Sequence, residues 1–309
     1  MANIIAVIWD FDKTLVDGYM QDPIFQEYNV DSHEFWNEVN ALPEKYKKEQ
    51  DVKVNPETIY LNQFIRYAHE GKFKDLNNEK LREFGTKLKF YNGIPEIFEK
   101  TKNVIEGNPK YNEFGIKVEH YIVSTGITQI IKGSVVNKYV DGIWGCEFIE
   151  EAVNGDSDKK IISEVGFTID NTTKTRALFE INKGVNKRED INVNTKIPRE
   201  LRRIPFQNMI YIADGPSDVP AFSVIKKNGG HTFAIYPKED KAAFKKVEQL
   251  RSDTRIDMYA EADYSEGTTT YMWIVNKIED IAENIYKTEK DKISNSVSST
   301  PKHIVWNYE

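Results

Sequence analysis

Four short stretches of the chain are apolar almost throughout and rich in β-branched or aromatic residues: 4–9 (IIAVIW), 118–123 (VEHYIV), 209–213 (MIYIA) and 231–236 (HTFAIY). Runs of this length without polar alternation predict strands buried on both faces, as in parallel sheets. Between them, apolar residues recur at helical spacing in 95–105 (PEIFEKTKNVI), 219–225 (VPAFSVI) and 272–286. A further helix is predicted over 173–181 (TKTRALFEI), with Asn171 and Thr172 as candidate caps. Strands alternating with helices predict an α/β fold built on a Rossmann-like, doubly wound parallel sheet.

Two regions interrupt the alternation. Residues 18–90 carry helical, aromatic-rich segments and no buried-strand pattern, which predicts a helical insert after the first strand. Its aromatics (Phe25, Tyr28, Phe35, Trp36, Tyr60, Phe64, Tyr67) are expected to form its core, with Tyr19 and Met20 lining an entrance. Asn92-Gly93-Ile94-Pro95 marks a turn back into the main domain. The second region, 139–170, reads as a β-hairpin made by YVDGIWGCEF and KIISEVGFTI. Residues 184–208 are polar and read as a surface loop with room for a short helix. The expected organisation is a core of 1–17 plus 91–287, an insert of 18–90, and a polar tail of 288–309. The first part of that tail is expected to be flexible, and Trp306 to dock on the body or on a second subunit.

Composition narrows the class. The chain has 309 residues, 39% of them hydrophobic, enough to bury a substantial core. A net charge of −7 argues against a general nucleic-acid binder. The basic cluster IPRELRRIPF (Arg199, Arg202, Arg203) is read as a solvated face rather than an anion site. The single cysteine, Cys146, excludes an internal disulfide and is read as a small buried hydrophobe. The N-terminus lacks the basic region of a signal peptide, and no apolar stretch approaches the length of a membrane span. A cytoplasmic monomer or homodimer, bound to neither membrane nor nucleic acid, is expected.

The chemistry is concentrated where strands end. Asp10 and Asp12 follow the first strand in IWDFDKTL, Ser124 and Thr125 follow HYIV, and Asp214 and Asp218 follow MIYIA in IADGPSD. In an open α/β sheet these positions converge at the carboxyl edge. A buried acid pair is costly unless a cation or a reaction requires it. An oxygen-rich site without histidine suits Mg²⁺, with Asp10 and Asp214 as candidate ligands. A carboxylate can also be a nucleophile, and its neighbour a general acid and base. A lysine beside them would balance charge; Lys174, opening a helix, is the leading candidate, with Lys159, Lys160 and Lys183 as competitors. Read alone, Ser124 and Thr125 would be helix N-caps, and Asp214 and Asp218 a turn followed by a cap. No histidine stands among the polar residues that follow these strands, which argues against a zinc hydrolase, and no GxxxxGK[ST] loop is present.

DFDKTL, IVSTG, TTKTRAL and IADGPSD, in that order, resemble the four motifs of the haloacid dehalogenase-like superfamily, and the DxDxT form resembles its phosphatase branch. The resemblance implies Asp10 as nucleophile and Asp12 as general acid/base. It further implies that Thr14, Ser124, Thr125, Gly126 and Lys174 contact phosphate. Asp10, Asp12 through its carbonyl, and Asp214 would hold Mg²⁺, with Asp218 in support. The insert matches, in position, the helical cap of phosphoserine-phosphatase-like members, which closes over the site and selects small substrates. Ala213 stands where the fourth motif often has glycine. The implied activity is a Mg²⁺-dependent phosphatase acting on a small phosphorylated metabolite. A phosphotransferase or mutase on the same scaffold, separable by product analysis with acceptors, and a non-catalytic phospholigand-binding protein are the alternatives. The latter would be expected to lack a motif acid, and none is missing.

Overall fold

The structure, a computed structural model, describes residues 3–153 and 155–297. Seven strands form one sheet in the order β4-β3-β2-β1-β5-β6-β7. They are β1 (Ile4–Trp9), β2 (Lys117–Ile127), β3 (Gly142–Val153), β4 (Asp156–Phe167), β5 (Met209–Ala213), β6 (His231–Tyr236) and β7 (Met258–Glu261). All neighbours are parallel except β3 and β4, which form the antiparallel hairpin. Trp9 lies level with Ile122 of β2 and Ile212 of β5, so β1 and β5 end side by side against β2, which runs on to Ile127.

β1 is central and buried throughout, as its unbroken apolar run requires. Its alternate residues feed two cores. Ile5, Val7 and Trp9 join the cluster that also holds α5 (Glu96–Glu106) and α11 (Thr269–Val297). Ile4, Ala6 and Ile8 join the cluster of α8 (Lys174–Lys183), α9 (Val219–Lys227) and α10 (Lys241–Ser252). Burying an Ile or Val side chain is worth about 1.5–3 kcal/mol. Trp9 Nε1 donates to Nδ1 of the fully buried His120, whose Nε2 lies 3.0 Å from Thr101 Oγ1. Burial, together with the charge of Lys102, pushes His120 down to about 3.

The insert contains α1 (Asp22–Glu27), α2 (Ser32–Gln50), α3 (Tyr60–His69) and α4 (Asn78–Gly85). Phe25, Phe35, Phe64 and Tyr67 pack around Phe73, while Tyr28 and Trp36 are only partly buried. These side chains belong to the same apolar cluster as Val7 and Ile122 of the sheet. α4 lies directly on α7 (Thr128–Gly133), where Gly85 and Gly133 let backbones touch: a Cβ on Gly133 would sit 1.9 Å from the Arg82 carbonyl. The hairpin grips the insert from the side, through Ile162 N–H to the Leu76 carbonyl and Asn78 Nδ2 to the Phe148 carbonyl. Gly93, at φ +82°, turns the chain back against Tyr264 with no room for a Cβ.

Several elements differ from the sequence reading. β2 runs four residues past Val123, so Ser124 and Thr125 lie within its end rather than beyond it. β3 belongs to the main sheet as well as to the hairpin. β7 and α10 were not anticipated: β7 has four residues, and α10 is interrupted by lysines. Residues 184–208 contain three 3₁₀ turns. α11 continues to Val297, ten residues into the expected tail, while Trp306 lies outside the described residues. Among the described residues no helix is long and apolar enough to cross a membrane.

Candidate active site

The loop after β1 is tight. The N–H groups of Thr14, Leu15 and Val16 all point at the Phe11 carbonyl, and Lys13 turns through φ +56°. Asp10 stays anchored to the sheet by its N–H, which donates to the Ile212 carbonyl at 2.9 Å. Its side chain is buried, and Thr14 Oγ1 donates to Oδ2 at 3.3 Å. Asp12, half-buried, accepts the Met20 N–H on Oδ1 at 2.8 Å.

The end of β2 contributes Ser124, Thr125 and Gly126. Pairing with β3 slips between Val123 and Ile127, an irregularity that re-aims the residues between. Ser124 Oγ accepts the Gly126 N–H at 2.9 Å. Neither Ser124 nor Thr125 caps α7, whose cap position is Ile127. At Gly126, Met20 occupies the space a side chain would take: Met20 Cε lies 2.1 Å from the ideal Cβ position, so any larger residue would have to displace it. Met20 is therefore fully buried beneath this turn, its Sδ taking the Ile127 N–H, and does not line an entrance; Tyr19 is the exposed member of the pair.

α8 delivers the lysine. Asp170, rather than Asn171 or Thr172, organises its start by accepting from the N–H groups of Thr172 and Thr173 and from the Thr173 hydroxyl. The side chain of Lys174 is 1% exposed, with Nζ 2.7 Å from Asp10 Oδ1 and 2.6 Å from Asp218 Oδ1. The competing lysines lie elsewhere. Lys159 and Lys160 are exposed on β4, and Lys183 donates to the carbonyls of Val193 and Thr195. Asp218, fully buried, also accepts from the Tyr211 hydroxyl at 2.6 Å and from Ser217 Oγ at 3.0 Å. Asp214, half-buried, follows β5 directly.

Ligand-capable oxygens of Asp10, Asp214 and Asp218 lie within 4.8 Å of one another. The Asp12 carboxylate is outside that group. Burial pushes Asp10 up to about 6, with Lys174 pulling it back and Asp218 adding to the rise. Burial and the charges of Asp10 and Asp218 push Asp214 up to about 7. Burial and Asp10 hold Asp12 well above the usual carboxylate range. Burial opposes the charge on Lys174, but Asp10 and Asp218 outweigh it and hold the ammonium in its charged form. Four acids thus face one buried lysine. An all-oxygen donor set with excess negative charge fits a hard divalent cation.

The basic cluster lies away from this edge, bonded to the protein. Arg203 pairs with Glu119 at 2.5 Å through both terminal nitrogens, and Arg202 donates to Asn182. Cys146 is buried as expected, and its Sγ donates to the Thr125 carbonyl at 3.3 Å. Sequence reasoning missed Tyr211, Asp170 and Tyr60, which hold groups of the site. Nothing in the spacing of these residues marks them in advance.

No family model matches the chain. An uncharacterized protein of Borreliella burgdorferi is 40% identical over 287 residues, covering 89% of this chain and 97% of the relative. Among solved structures, a HAD-family hydrolase of Salmonella enterica serovar Typhi is similar at 15% identity and a TM-score of 0.49, over 79% of this chain. The chain spans 65% of that hydrolase's length. A substrate-bound phosphoserine phosphatase is similar at 18% identity and a TM-score of 0.47, over 84% of this chain and 94% of the phosphatase. The chain belongs to one family with the Borreliella burgdorferi protein, and its mostly parallel sheet brings Asp10, Ser124, Lys174 and Asp214 to one edge.

Proposed function

We propose that the protein is a divalent-metal-dependent phosphomonoester hydrolase that acts on a small phosphorylated metabolite through an aspartyl-phosphate on Asp10. The observation that carries this reading is the Lys174 ammonium 2.7 Å from Asp10 Oδ1, brought there from 164 residues away. In the first half-reaction a carboxylate oxygen of Asp10 bonds to phosphorus and the ester P–O bond breaks. The electron pair goes to the leaving oxygen, which takes the proton of Asp12. In the second, Asp12 takes a proton from water as that oxygen bonds to phosphorus. The bond to Asp10 then breaks, releasing inorganic phosphate. Asp12 suits the acid/base role because its carboxylate stands outside the cation-capable group. Thr14 orients Asp10, while Ser124, the Thr125 N–H and Lys174 would meet the equatorial oxygens. Asp10 and Asp214, with the Asp12 carbonyl, would hold the cation, and Asp218 supports them through Lys174; Mg²⁺ suits the donor set. When bound, the cation supplies charge to offset the carboxylates and the phosphoryl oxygens.

Hydrolysis of p-nitrophenyl phosphate tests the reading, with Mg²⁺ and with chelator, for wild type and Asp10→Asn. Expected is metal-dependent turnover that falls at least about a thousandfold in the variant. Turnover that survives Asp10→Asn sinks the mechanism.

A further inference from the structure

A directed chain of hydrogen bonds joins the insert to the turn that contains Ser124. Tyr60, the first residue of α3, is 5% exposed, and its hydroxyl leaves the insert to donate to the Thr125 carbonyl at 2.8 Å. That carbonyl and the Gly126 N–H are the two ends of one peptide unit. The N–H in turn donates to Ser124 Oγ at 2.9 Å. Ser124 Oγ has no other partner among the described residues, so one of its two lone pairs is engaged and its proton is left to donate. Bonds aligned head to tail polarise one another, and burial strengthens them. The peptide is also clamped sideways, by Cys146 Sγ on the same carbonyl and by Met20 against Gly126.

The segment leading into Tyr60 is fastened as well. Asn55 Nδ2 donates to Asp170 Oδ2 at 2.8 Å, and the N–H and Nδ2 of Asn171 donate to the Glu57 carboxylate at 2.7 and 2.6 Å. These contacts fall just ahead of Lys174. Residues 55–60 of the insert therefore bear on the lysine helix and on the Ser124 turn together.

We propose that Tyr60 is a positioning residue: through the Thr125–Gly126 peptide it holds the Ser124 hydroxyl as a donor for a phosphoryl oxygen. The insert then acts on the phosphoryl group that all substrates share, and not only on the part that distinguishes them. This rests on the phosphatase reading above. Its test is a double-mutant cycle of Tyr60→Phe and Ser124→Ala, read as KM and kcat for p-nitrophenyl phosphate and as the inhibition constant of inorganic phosphate. Loss of one hydrogen bond predicts a rise in KM and in the phosphate constant of about 3–10-fold for Tyr60→Phe, with kcat within about twofold. In the Ser124→Ala background the same substitution should change neither constant. Effects of the two substitutions that simply multiply overturn the proposal, as does a Tyr60→Phe enzyme with unaltered phosphate affinity. A wild type that neither hydrolyses the ester nor binds phosphate overturns the phosphatase reading itself.

Discussion

Lys174 holds the charge balance of the site. Its ammonium is shared between Asp10 and Asp218, both buried, so removing it leaves two carboxylates without a cation. Lys174→Met is expected to abolish turnover and to lower stability by about 3–5 kcal/mol. A carboxylate whose folded pKa is raised takes up its proton more readily folded than unfolded, so the loss should be smaller at pH 5.5 than at pH 8. Urea denaturation at the two pH values checks this. His120 carries the opposite sign. Unfolded, it binds a proton below about 6.5; folded, it stays neutral down to about 3. Its stabilising contribution is therefore whole above pH 6.5 and is lost as the pH falls through that window, at up to about 1.4 kcal/mol per unit. The wild type should lose stability between pH 6.5 and 5 more steeply than His120→Gln. At this scale the acids were legible because each follows a buried strand, and Lys174 because it opens a helix. Tyr60 was not legible: its partner is 65 residues away, and TIYLNQF reads only as the insert's own core.

Among the elements, the contact of α4 with α7 shows most clearly what sequence patterning leaves out. Gly85 and Gly133 are the last residues of their helices, and each lies against backbone of the other helix. Gly133→Ala adds helix propensity worth at most about 1 kcal/mol. It also places a methyl 1.9 Å from the Arg82 carbonyl, a clash that no rotamer relieves. Overpacking of this kind costs about 1–3 kcal/mol, and here the obstacle is backbone, so the steric term should win. A fall of several degrees in the unfolding midpoint is expected, at about 2–4 °C per kcal/mol for a chain of this size. Buried parallel strands announce themselves by unbroken β-branched runs, which is why β1, β5 and β6 match their sequence bounds. β7 offers only Met258, Tyr259 and Ala260 as apolar residues, too few to separate from loop. The slip in β2 is likewise invisible, because its cause is the partner strand β3.

For the whole molecule, the insert is joined to the main domain more firmly than its two chain connections require. Its aromatics share one apolar cluster with the sheet, and the hairpin, α7 and the 170–171 turn each hold it from a different side. Insert and sheet are thus expected to unfold in a single transition. Fluorescence of single-tryptophan variants retaining Trp9 in the sheet or Trp36 in the insert should give the same midpoint. Two midpoints would show that the insert melts separately.

The place of β1 within the sheet has a consequence for exchange with solvent deuterium. With three strands on either side, its amides, and that of Asp10 bonded to Ile212, have no edge from which to open. They should exchange only through complete unfolding, whereas those of residues 52–57, exposed apart from partly covered Val54, should exchange through local opening. The proposed nucleophile is thereby carried by the part of the molecule that lets go last, and the groups that steady its neighbours by parts that let go sooner.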